Sequence, residues 1–120
     1  LHPDNYQALN YVGDTLAEED RDLDRALTLL IRANQIAPNQ SYIVDSLAWA
    51  YFKAEKFDDA LKEIRRAVTL DEHVDASIWE HYGDIAARMG MKDEARTAYQ
   101  KAMELKPDNA EALRQRLSNL

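Results

Sequence analysis

Cysteine is missing from this chain altogether, which removes disulfides, thiolate metal ligands and thiol nucleophiles in one step. The absence leaves the redox compartment open. Glycine and proline are scarce, with three of each, and only two phenylalanines occur. Short turn-punctuated strands have little to build on, whereas the abundant Ala, Leu, Glu, Asp, Lys and Arg favour helix. No apolar run approaches the roughly 18 residues of a membrane-spanning helix, so no direct membrane insertion is expected of this segment. An excess of basic charge is lacking too. The net charge is −7, and a nucleic-acid binder draws its affinity from neutralising phosphates. The densest basic run, Lys62 to Arg66, is broken by Glu63 and Ile64 beside Asp58 and Asp59, as on a solvated helix face. Nucleic acid is not an expected partner.

What is present is repetition. The 120 residues suit one domain by length. Within them Gly13, Ala48 and Gly83 fall 35 residues apart each time. Ala26, Ala60 and Ala95 follow at 34 and 35, as do Ala33, Ala67 and Ala102, while Pro3, Pro38 and Pro107 are 35 and 69 apart. Agreement of four registers on one period marks an array of supersecondary units. Apolar residues at i, i+3, i+4 and i+7 give each unit two amphipathic helices. The spacing predicts helices over about 4–18, 23–36, 41–53, 57–70, 75–89 and 92–105, with a last one over 108–118. Small residues at Gly13, Ala48 and Gly83, opposite Ala26, Ala60 and Ala95, allow paired helices to approach closely. Larger ones such as Leu9, Leu47, Tyr51, Ile64, Trp79 and Tyr99 fill the space between units. Asn or Asp after each proline is placed to cap the next helix.

The same residues carry a resemblance. Trp79-x2-Tyr82-Gly83-x2-Ala86, then Ala95-x3-Tyr99, Ala102 and Pro107, resembles the tetratricopeptide repeat (TPR). Leu9-x2-Val12-Gly13-x2-Leu16 with Ala26-x3-Leu30, Ala33 and Pro38 is similar. So is Val44-x2-Leu47-Ala48-x2-Tyr51 with Ala60-x3-Ile64 and Ala67, where Glu72 replaces the proline. The resemblance implies an all-α, right-handed superhelical α-solenoid of three helix-turn-helix units plus a C-terminal capping helix. The expected division is 6–40, 41–75 and 76–109 for the repeats and 110–120 for the cap. Residues 1–5 match the exits of later helices and read as the tail of a preceding repeat in a longer chain. In the cap, Leu113 and Leu117 should face inward and Leu120 should fray. The link Asp71 to Asp75, one residue longer and without proline, is the expected soft joint.

Catalysis finds no footing. His2, His73 and His81 lack ligand spacing, and no phosphate-cradling glycine loop or G-x-S-x-G elbow occurs. His81 and Asp84 stand one turn apart, a pair more suited to solvation than to a ligand. No metal, cofactor or enzymatic activity is expected. Stacked helix pairs instead create an extended concave surface, which the first helix of each unit lines in proteins of the resembling family. Carried onto this chain, the groove residues are Asn10, Tyr11, Asp14, Tyr42, Asp45, Trp49, Phe52, Glu80, His81 and Asp84. Trp49 reads either as cladding against Tyr11 or Tyr42, or as a ligand contact.

A carboxylate-holding clamp like that of chaperone-tail binders would need cations where Asn10, Asp14, Ser46, Ser77 and His81 stand. The implied partner is therefore a neutral or basic protein segment with apolar anchors. Two other readings stand beside this non-enzymatic scaffold: a regulatory or substrate-presenting arm of a larger enzyme, and a self-association module using an apolar flank near Leu9 and Leu29. A narrower similarity, to bacterial TPR proteins including envelope lipoproteins, implies a periplasmic or outer-membrane-attached adaptor.

Overall fold

The helices follow the sequence periodicity to within a few residues at each end. The computed structural model describes residues 4–105 and 107–120, so the first three residues of the expected tail of a preceding repeat, 1–5, lie outside the described residues. Among the described residues there are seven helices and no strand: α1 Tyr6–Glu18, α2 Leu23–Ile36, α3 Ser41–Lys53, α4 Phe57–Ala67, α5 Ala76–Arg88, α6 Lys92–Glu104 and α7 Ala110–Ser118. Pairs α1/α2, α3/α4 and α5/α6 form helix hairpins. Each hairpin packs on the next unit's first helix, and α7 closes against α6. The result is an all-α solenoid of TPR units, 43 × 28 × 23 Å in extent.

The three hairpins close in one way. Arg21 N–H donates to the Leu16 carbonyl at 2.9 Å, Lys56 to Tyr51 at 2.8 Å and Met91 to Ala86 at 2.9 Å. The bond before each, Asp20 to Ala17, Glu55 to Phe52 and Gly90 to Ala87, completes a Schellman closure. The residue at the bend must then be left-handed. Gly90 takes φ +77° without cost, while Asp20 at +55° and Glu55 at +62° accept the same conformation with a Cβ attached. The acidic first turn is longer by one residue and needs a second positive φ at Asp22 (+44°).

The core is a row of clusters, each shared between a hairpin and the next helix. Leu27, Leu30, Leu47 and Ala50 join unit one to α3, Val44, Leu61, Ile64, Ile78 and Ile85 join unit two to α5, and Tyr99, Ala102 and Leu113 tie unit three to α7. Truncating a fully buried Leu30 or Ile64 to Ala is therefore a loss of about 2–5 kcal/mol. Close approach demands the glycines. A Cβ on Gly13 would lie 2.6 Å from Leu30 Cγ, and one on Gly83 would lie 2.4 Å from the Tyr99 ring.

Several details depart from the periodicity. Helix α4 ends at Ala67 rather than at 70, because the Thr69 hydroxyl donates to the Arg66 carbonyl at 2.8 Å and the chain turns. Val74, 6% exposed, then anchors the long link in the core. Asn5 caps α1 by accepting from Ala8 N–H at 3.0 Å, but the later Asn residues do not repeat this. Asn39 sits one place too early for α3, whose N-cap is Gln40, and the Asn109 amide donates to Glu80 at 2.8 Å. Leu117 packs on the last cluster as expected. Leu120, expected to fray, also packs there. Leu9 is only 4% exposed, enclosed with Ala33 and Ile43, so it forms no apolar flank.

Candidate interaction face

The first helices of the units, α1, α3 and α5, lie side by side, and the period of 35 puts equivalent residues in a column along them. Asn10, Asp45 and Glu80 form one row, Asp14, Trp49 and Asp84 a second, and Tyr11, Ser46, His81 and Arg116 a third. The last two third-row residues reach back to the preceding unit with a charged side chain. His81 Nδ1 is 2.8 Å from Asp45 Oδ1, and its ring stacks on Trp49 with centroids 4.1 Å apart. Arg116 donates to Glu80 and, at 3.3 and 3.4 Å, to both carboxylate oxygens of Asp84. Ser46 carries no charge across the junction; its hydroxyl donates to the Tyr42 carbonyl of its own helix at 3.0 Å and is also a hydrogen-bonding neighbour of the Asp14 carboxyl.

The proposed groove residues thus divide. Tyr11 and Tyr42 are open, at 71% and 41% exposure. Trp49, offered above as cladding on those tyrosines, lies instead between His81 and Phe52, whose ring centroid is 4.9 Å away. Phe52 meets Phe57 edge-on, and the Arg88 guanidinium sits 4.6 Å from the centre of the Phe57 ring. His81 is not the solvated surface residue its spacing suggested, being held between Asp45 and Trp49. Glu80 and Asp84 are occupied by Arg116.

Three titratable groups on the face are shifted from their ordinary values. Burial, with the neighbouring carboxylates of Glu18 and Asp45, pushes the Asp14 carboxyl above the usual carboxylate range. Burial also raises Asp84, against the Tyr99 hydrogen bond (2.6 Å) and the Arg116 charge. For His81, burial opposes the charged ring, but the Asp45 hydrogen bond and the charges of Asp45, Asp84 and Glu80 outweigh it, and its pKa rises. Away from this face, Arg65 clamps Glu94 through two 2.8 Å bonds, tying α4 to α6 and holding that carboxyl low.

Among the described residues, no group of three His, Asp or Glu could hold a metal ion, and no helix is long and apolar enough to cross a membrane. A cavity of about 430 Å³ opens at the α4–α5 link, over Trp79 and Leu105, apart from the two open tyrosines.

A family model described as "Tetratricopeptide repeat-like domain" matches residues 12–120. The chain belongs to that family. Its TPR relatives include the TPR repeat-containing protein PA4667 of Pseudomonas aeruginosa, 33% identical over 82 residues, or 68% of this chain and 14% of that protein. The peroxisomal targeting signal receptor of Candida albicans is 29% identical over 112 residues, 88% of this chain and 19% of the receptor. The chain therefore spans under a fifth of either relative's length. Among solved structures, the first TPR domain of Spaghetti (RPAP3), bound to the HSP90 peptide SRMEEVD, superposes with a TM-score of 0.85. That match has 21% identity and covers 99% of this chain and 94% of that one, a likeness of fold.

One member of the face escaped the sequence reading. Arg116 was passed over because α7 read only as a cap with Leu113 and Leu117 inward. Continuing the 35-residue step from Ser46 and His81 lands on it.

Proposed function

We propose that this TPR domain is a non-enzymatic interaction scaffold that holds a neutral or basic segment of a partner protein along α1, α3 and α5. The observation that carries this reading is the pair of open aromatics, Tyr11 and Tyr42, beside the carboxylates of Asp14 and Asp45. Aromatic side chains anchor interfaces because they bury large area at small entropic cost. The fold neighbour that carries a peptide supports the general role. Its peptide ends in Glu-Glu-Val-Asp, however, and an acidic tail would meet like charge here. The one arginine reaching this face from α7, Arg116, is already engaged by Glu80 and Asp84.

The test begins with a partner identified by pull-down and its affinity measured by calorimetry. Tyr11→Ala combined with Tyr42→Ala removes the open rings without touching the core, so binding should weaken about tenfold or more with little change in unfolding temperature. Unchanged affinity in the folded double variant overturns the assignment. Trp49→Ala is a poorer probe, since it also removes the stack between units two and three.

A further inference from the structure

The three junctions between successive first helices are built alike, and one of them is short of a cation. At the α3/α5 junction the third-row residue is His81, seated on Asp45 and Trp49. At the α5/α7 junction it is Arg116, seated on Glu80 and Asp84. At the α1/α3 junction it is Ser46, with Asn10 and Asp14 in the seats that Glu80 and Asp84 occupy for Arg116.

The consequences of that short side chain are visible. Asn10 Oδ1 is shut off from solvent and has no hydrogen-bond partner among the described residues. A buried acceptor left unpaired is a cost that native structures rarely carry. Asp14 has no basic residue in an ion pair with it among the described residues. Burial, with Glu18 on its own helix and Asp45 on α3, holds its carboxyl above the normal range, against the Ser46 hydrogen bond and the charge of His81 on α5. The junction is flanked by the two open rings, Tyr11 next to Asn10 and Tyr42 one turn before Ser46.

We propose that an arginine side chain of the partner fills this junction, its guanidinium donating to the Asp14 carboxylate and, once the Asn10 side chain turns its Oδ1 out of the closed position, to that oxygen too, as Arg116 does to Asp84 and Glu80. The proposal rests on the scaffold reading and adds the chemistry of one subsite. Arginine is the fitting cation because a planar fork of donors serves two acceptors at once. The rings of Tyr11 and Tyr42 can cover its faces. The partner's segment would then complete a column that the chain itself completes at its other two junctions.

The experiment uses the full chain with side-chain NMR of the Asn10 amide and Asp14 carboxyl. The probes are N-acetyl-arginine methylamide and its uncharged counterpart, N-acetyl-citrulline methylamide. The arginine compound should shift both groups saturably while the citrulline compound does not. Asp14→Asn, which keeps the shape of the site, should weaken the response about tenfold. Ser46→Arg should place the cation internally, lower the Asp14 pKa and abolish the response. Equal shifts at remote carboxylates such as Asp58 and Glu111, or an undiminished response in Asp14→Asn, overturn the subsite. So does a partner that needs Tyr11 and Tyr42 but binds equally when all its arginines are citrulline, and in that case the scaffold reading survives. A partner indifferent both to the tyrosine pair and to Asp14→Asn overturns the scaffold reading on this face, and the subsite with it.

Discussion

At the scale of the residue, the solenoid depends on atoms that are not there. Gly83 admits the Tyr99 ring, whose hydroxyl then bonds to Asp84, so one missing methyl couples core packing to the interaction face. Gly83→Ala should destabilise the domain by about 1–3 kcal/mol, the usual cost of overpacking, as measured by urea unfolding. It should also disturb the Asp84–Arg116 pair. His81 yields a second prediction. Its folded pKa is raised, so the native state holds this proton more tightly than the unfolded chain does. That contribution is complete below the ordinary histidine pKa and is lost as pH rises through the higher folded value. Asp14 and Asp84, also raised, act with the same sign at lower pH. Thermal stability should therefore increase as pH falls from about 8 to about 6, and His81→Gln should flatten that slope. A slope unaffected by the substitution would place the pH dependence elsewhere.

At the scale of the element, the three hairpin turns offer a controlled comparison. Backbone hydrogen bonding is the same in each, yet the left-handed residue is Asp20, Glu55 or Gly90. Only glycine occupies that conformation freely, so Glu55→Gly should stabilise and Gly90→Ala destabilise, each by ~1 kcal/mol in chemical denaturation. The same helix starts also show how much was legible. Boundaries governed by glycine, by the 35-residue step and by amphipathic spacing could be read directly. The end of α4 could not, because it depends on Thr69 turning back onto the Arg66 carbonyl and on Val74 finding a hole in the core. Nor could the loss of the proline-Asn caps. Asn109 is drawn away by Glu80, a residue 29 positions earlier.

At the scale of the whole molecule, the proposed preference for a basic partner rests on the distribution of charge. The chain carries −7 overall, but on this face the acids of unit three are compensated by Arg116, while among the described residues those of units one and two have His81 as their cationic neighbour. Attraction for a basic segment should therefore be concentrated toward α1 and α3. Raising salt from about 0.05 to about 0.5 M should weaken partner binding chiefly through slower association, measurable by surface plasmon resonance. Salt-independent binding would mean that the rings alone carry recognition.

By itself, the sequence determined the all-α repeat architecture, since a 35-residue recurrence of small and apolar residues can bury its stripes only by stacking. It also pointed to the ten candidate residues, although Trp49 and Phe52 among them pack against the core of unit two. The tertiary structure decided what those residues do. Spacing along one helix cannot tell whether a side chain on the next unit reaches across. Only the stacking seats His81 on Asp45 and Trp49, brings Arg116 from the cap to Glu80 and Asp84, and leaves Asn10 and Asp14 facing a serine. The uncompensated junction follows from three-dimensional register, because a cation's partners here stand 32 and 36 residues away along the chain.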